Sequence, residues 1–357
     1  MQFSNEVVTI VWYTTIGFLF LSIVSFLAFF VLKWIASHRI EVVNHNIKYY
    51  KSEQFFLDTL PKDSKQLISY IYELGRRMIL TDDPKEKEKI KQYIEEKNII
   101  EIIEKRYDKA SSKIKKLHYL SLLVVLSSPK EKERFKQLVY NSDSSFEYIT
   151  LSLYGFSILC KDAKDLFELY SMLKWLYNTK YVDRRYVQFF FALAIKDMEY
   201  NQIVKFIYMI IKDMMHMPTV IAFIYALAQI PKHRQLKNIF LEIQHQHKDN
   251  HELTSAIIRL MKAWDIKSNH LILENYNSSS DIVRIAVARL GFDLLNKPKR
   301  YKLICYLYDS NKIVRKNFYT SLLEHEVSKE DILHMQEELY KENKYIKHLM
   351  STCLEFK

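Results

Sequence analysis

Apolar positions recur with helical spacing through most of the chain. Leu166, Leu169, Tyr170, Leu173 and Tyr177 follow one another at intervals of three and four, and so do Leu236, Ile239, Phe240 and Ile243. Such spacing places apolar side chains on one face of an α-helix. No sustained two-residue alternation bounded by turn residues occurs, so no sheet is predicted. Pro61, Pro84, Pro129, Pro218, Pro231 and Pro298 fall between the periodic runs, where proline is tolerated at helix starts. Polar clusters at 141–145, 197–201, 248–250 and 275–280 mark further breaks. Helices of about 12 to 17 residues fit between them. The expected core includes Leu166, Leu173, Ile239, Ile243, Val283, Leu290, Val314 and Leu322.

The N-terminal pattern is different. From Val7 to Leu32, 26 residues pass without a charge. A helix needs about 20 apolar residues to span a bilayer, so 7–32 is predicted to be a transmembrane helix. Trp12 and Trp34 stand near its ends, at the depth that indoles favour. Glu6 is the only charged side chain before the run and no A-x-A-like site follows it, which argues for an anchor over a cleaved signal peptide. Lys33, Arg39, Lys48 and Lys51 follow the run, and no Lys or Arg precedes it. The positive-inside rule then places 1–6 outside and 33–357 in the cytoplasm, as a single-pass protein of the plasma or inner membrane. Thr14, Gly17, Leu21, Ser25 and Ala28 share one stripe of this helix. Small residues on a stripe suit contact with a partner's membrane helix.

Residues 33–107 carry more charge, with DDPKEKEKIKQYIEEK at 82–97, and are expected to form a helical neck with a capping pair at 63–80 and 85–105. Beyond them a repeat emerges. Ile282-Val283-Arg284 returns as Ile313-Val314-Arg315, and Ala256, Arg259 and Leu260 return as Ala286, Arg289 and Leu290. Periods of this length belong to helical solenoids, whose units bury their faces only against neighbours. About seven helix pairs are expected over 108–357.

The segment YKLICYLYDSNKIVRKNFYTSLL resembles a HEAT repeat, with Asp309 in the turn and Val314-Arg315 six residues on. In the preceding unit Val283, Arg284, Ala286, Leu290 and Gly291 match the same pattern, but Ser278 stands where the turn Asp would be. The resemblance covers about 250–340. It implies a HEAT-like α-α solenoid, with Arg284, Asp309 and Arg315 as structural residues of the repeat. The fold class expected is thus all-α, a transmembrane helix followed by that solenoid.

Composition narrows the chemistry. The 357 residues hold 4 Gly and 6 Pro, against about 25 Gly in an average chain of this length. Gly-rich phosphate loops and Rossmann turns are thereby excluded. Three cysteines, Cys160, Cys305 and Cys353, provide no disulfide framework. His245, His247 and His251 are close in sequence, but at a helix end they read as polar surface, and neither metal nor cofactor is expected. Met214-Met215-His216-Met217 reads as core filling. The dipeptides His251-Glu252 and His325-Glu326 fall at unlike places in their units, so they do not form the symmetric pair of a helical-repeat di-iron enzyme. No catalytic constellation is read from the sequence.

The net charge of +11 suits an anionic partner. Tyr181, Arg184, Arg185, Tyr186 and Tyr225 are the candidate partner surface, since Arg and Tyr are favoured anchors at interfaces. The expected role is a non-catalytic scaffold or adaptor. It would dock a partner protein, expected to be a membrane protein with a cytoplasmic part, in a machine such as a polysaccharide synthase or secretion complex. A basic nucleic-acid-binding solenoid and a helical-repeat enzyme are the alternatives.

Overall fold

A computed structural model describes residues 60–342, apart from 62, 63, 82, 127, 142, 181, 214 and 231–233. The described residues are helical with connecting turns, and no strand occurs among them. They fall into two compact units, one up to Ser128 and one from Pro129.

The first unit holds α1 (Ser64–Leu80), α2 (Pro84–Glu96), α3 (Ile99–Lys109) and α4 (Lys113–Leu126). Asp83 starts α2 by accepting the Lys85 N–H at 2.9 Å, with Pro84 in the first helical position. The sequence expects one helix over 85–105. The chain instead breaks at Asn98, whose φ of 50° is left-handed, a conformation that asparagine tolerates. Helix α1 packs on α2 and α4, and α3 on α2 and α4. Gly75 makes the α1–α4 approach possible, because a methyl group there would overlap the Val125 side chain. Helix α4 packs on α1 and α3, and the division between the two units follows Ser128.

The second unit begins with a 3-10 turn at Pro129–Glu131 and then runs in pairs. They are α5 (Lys132–Tyr140) with α6 (Phe146–Ile158), α7 (Ala163–Thr179) with α8 (Arg184–Ile195), and α9 (Tyr200–Lys212) with α10 (Met217–Leu227). Next come α11 (Lys237–Gln246) with α12 (His251–Ala263), and α13 (Asn269–Asn275) with α14 (Asp281–Leu294). In the sixth pair a 3-10 helix (Lys297–Tyr308) takes the first place and α15 (Lys312–Glu324) the second, followed by α16 (Lys329–Glu342). The second helices pack in series: α6 on α8, then α10, α12, α14 and α15. Among the first helices α5, α7 and α9 do the same. The result is a helical repeat whose neighbours cover each other in turn, as in a solenoid.

Polar caps set the helix starts. Asp162 accepts the N–H groups of Lys164 and Asp165 at 2.9 Å, Asp183 that of Arg185 at 2.6 Å, Asn250 that of Leu253 at 2.9 Å, and Asn311 that of Ile313 at 2.8 Å. The core between the rows is aromatic at its middle. Phe206 lies 4.9 Å from Phe223, and Phe191 lies 5.3 Å from Phe223, all three buried. Leu166, Leu173, Ile243, Val283, Val314 and Leu322 are buried as expected, whereas Ile239 and Leu290 are only half-buried. The apolar stripes of α11 and α14 are wider than the surface their neighbours cover.

The expectation of a membrane span requires correction. No described helix is long and apolar enough to cross a membrane. The longest, α1 and α7, have 17 residues and carry charged side chains, against about 20 apolar residues for a span. The fold class is an all-α helical repeat without a spanning helix among the described residues, and the single-pass membrane localisation is not retained. Residues 1–6 and 7–32, with Thr14, Gly17, Leu21, Ser25 and Ala28, lie outside the described residues.

Candidate interaction face

Helix α6 carries apolar residues around its whole circumference. Tyr148, Ile149, Leu153 and Phe156 are buried, while Phe146, Tyr154 and Ile158 fall on the opposite stripe. That second stripe stays in contact with solvent: Phe146 is 51% and Ile158 39% exposed. On α8, Tyr186, Phe189 and Leu193 line up beside it at helical spacing, and Phe189 is 49% exposed.

The two stripes join into an aromatic ledge. Tyr154 stacks on Phe189 at 6.3 Å with 16° between the rings. Phe146 leans on Tyr186 at 5.2 Å, and Tyr186 meets Phe190 edge to face at 4.9 Å. The Tyr186 hydroxyl is 3.0 Å from Thr150 Oγ1. Burial pushes the Tyr186 phenol above its ordinary range, partly offset by that hydrogen bond. The ring is therefore a neutral, fixed part of the ledge.

The other candidate surface residues are placed unequally. Arg184 reaches from α8 to α12, where its Nη2 donates to Glu252 at 2.7 Å, and its guanidinium lies 5.9 Å from the Tyr225 ring of α10. Arg184 and Tyr225 thus serve a contact within the unit, although Arg184 and Glu252 remain partly exposed. Arg185 points to solvent, and Tyr181 lies outside the described residues. Sequence reasoning found Tyr186 but missed Phe146, Tyr154, Ile158 and Phe189. The available signal was a helix apolar on all sides in a repeat whose units cover only part of each helix.

The repeat residues lie farther along the row. Arg284 donates through Nη1 to the carbonyls of Ser278 and Ser279 at 2.9 and 3.0 Å, and through Nε to the Asp309 carboxylate of the next unit at 2.7 Å. It also contacts Asp281, whose other oxygen accepts from Asn311 Nδ2 at 2.7 Å. Arg315 repeats the turn geometry on the carbonyls of Asp309 and Ser310. Asp309 therefore holds two turns together, whereas the backbone of Ser278 suffices for the Arg284 turn without an acidic side chain.

The dipeptides and thiols are engaged separately. Glu252 pairs with Arg184, while His325 stacks on Phe292 at 5.5 Å and stands 3.4 Å from Asp293. No group of three or more His, Cys, Asp or Glu side chains able to hold a metal occurs among the described residues. Burial pushes the Cys160 thiol up and that of Cys305 up to about 12, so both stay protonated near neutral pH. Cys353 lies outside the described residues. No protein-family model matches the chain, and no curated protein or solved structure matches it either.

Proposed function

We propose that the chain is a non-catalytic docking scaffold that holds a partner protein against the second-helix row of its repeat. The observation that supports this reading is the aromatic ledge of Phe146, Tyr154, Ile158, Tyr186 and Phe189. Solvent-facing aromatic clusters of this kind mark interaction sites, because removing them from water on binding is favourable by roughly 25 cal/mol per Å2. Fixed rings also lose little conformational freedom when a partner covers them. Arg185 at the edge supplies a charged group of the type that anchors interfaces. The repeat itself is read as HEAT-like, on the Val-Arg pairs at 283–284 and 314–315 and the shared Asp309 turn.

A photo-reactive phenylalanine analogue placed at 146 or 189 tests this reading in cells that make the protein. One protein cross-linked at both positions, and not from a control at Lys130, is the expected result. Equal cross-linking from the control position, or no adduct from the ledge, would refute it. A Phe146→Ser, Phe189→Ser variant should keep its helical circular dichroism and lose the adduct when the probe is moved to Tyr154.

A further inference from the structure

The row of first helices carries a second surface of different character. A groove of about 610 Å3 runs between the start of α7 and the outer side of α9. Asp162, Ala163 and Lys164 form one wall, and Gln202, Lys205, Tyr208, Met209 and Lys212 the other. On α9 those five residues follow at intervals of three, three, one and three, which makes a single stripe. Tyr208 is 53% exposed, and the three lysines are exposed. Lys205 and Lys212 stand about 10 Å apart along the helix axis, at 1.5 Å per residue.

Three lysines and one carboxylate, Asp162, line the groove, which leaves it net positive. Among the described residues none of Lys164, Lys205 and Lys212 forms an ion pair within 4.0 Å, and the nearby acids make other contacts. Asp162 caps α7, Asp165 holds Lys132 at 2.5 Å, and Asp213 holds Lys174 at 3.2 Å. Three ammonium groups therefore surround an apolar floor of Ala163, Tyr208 and Met209. Their mutual repulsion would be relieved by carboxylates, and the floor would be covered by an apolar side chain between them. The lining combines lysines with this apolar floor, which suits an acidic peptide segment that also carries an apolar side chain.

We propose that this groove binds an acidic segment of a partner protein whose carboxylates stand about 10 Å apart around an aromatic or aliphatic side chain. In a polyproline II segment that separation is three residues, at about 3.1 Å each, which leaves both carboxylates on one face. The groove is distinct from the aromatic ledge, and its occupancy does not depend on the ledge having a partner.

The probe is a fluorescein-labelled copolymer of glutamate and tyrosine, titrated with the full chain and followed by anisotropy. Saturable binding is expected. Lys205→Glu with Lys212→Glu should weaken it by about tenfold or more, equivalent to about 1.4 kcal/mol. Lys130→Glu with Lys299→Glu, at exposed positions elsewhere, should change it less than about twofold. Tyr208→Ser should weaken binding about threefold, with that loss persisting at higher salt, since it removes apolar contact and not charge. Circular dichroism checks that each variant is folded. Equal losses from the control pair, or no effect of Tyr208→Ser, would overturn the proposal. So would tighter binding of a thymidine 20-mer through the same lysines, which would assign the groove to nucleic acid.

Discussion

Among the described histidines, His118 and His216 link pH to the stability of the fold. Burial holds both below the ordinary histidine value of 6.5, and at His216 the Lys174 ammonium adds to the effect. The unfolded chain therefore takes up these protons more readily than the folded chain. Their contribution to stability is complete above pH 6.5 and is lost as pH falls from there through the lower folded values. The melting temperature should drop between about pH 7.5 and about pH 5.5. His216 Nδ1 is 2.8 Å from Thr219 Oγ1 at the start of α10, and asparagine can keep that contact without titrating. His216→Asn should flatten part of the slope; an unchanged slope would show that His216 does not carry it.

At the scale of the element, two arginines of α14 look alike in sequence and differ in consequence. Arg284 and Asp309 are 15% and 9% exposed, and Arg284 also serves two turn carbonyls. Arg289 pairs with Glu324, which is 52% exposed. Breaking a buried pair leaves a desolvated charge, and the expected cost of Arg284→Ala is about 3 kcal/mol. Water and salt take over much of the other pair, so Arg289→Ala should cost less than about 1 kcal/mol. Urea denaturation of both variants decides the point, and comparable losses would mean that the Asp309 turn is not what joins the last two pairs. The same helices show how coverage alters the meaning of a position. Ala288 and Phe292 of α14 are buried, while Tyr319 and Leu323, 31 residues later on α15, are 53% and 79% exposed.

Over the whole second unit, stability should follow that coverage. Each pair draws its stability from its own packing and its neighbours, so the middle of the row should open least. The buried cluster Phe191–Phe206–Phe223 lies there. Hydrogen exchange should find the slowest amides in α8, α10 and α12, and faster exchange in α15 and α16. Uniform protection from α6 to α16 would mean that the unit unfolds as one cooperative block.

The sequence alone determined the helical class, the pairwise organisation and the turn chemistry. Periodicity at three and four, the prolines between the periodic runs such as Pro84 and Pro129, and the repeated Val-Arg pair are local signals, readable without knowing what packs against what. The break at Asn98 was harder to see, because the charged run 82–97 before it and the segment IIEIIEKRYDK after it both favour helix. Tertiary structure decided what periodicity cannot: which apolar stripe of a helix is covered. Phe146 and Phe156 both belong to the apolar helix α6, yet only packing against α5, α7 and α8 buries Phe156 and leaves Phe146 exposed. It likewise drew Arg184 onto Glu252, 68 residues away, and left Lys205 and Lys212 without acidic partners among the described residues. Burial and charge pairing are relations between distant segments, and one sequence specifies the segments more plainly than the relations.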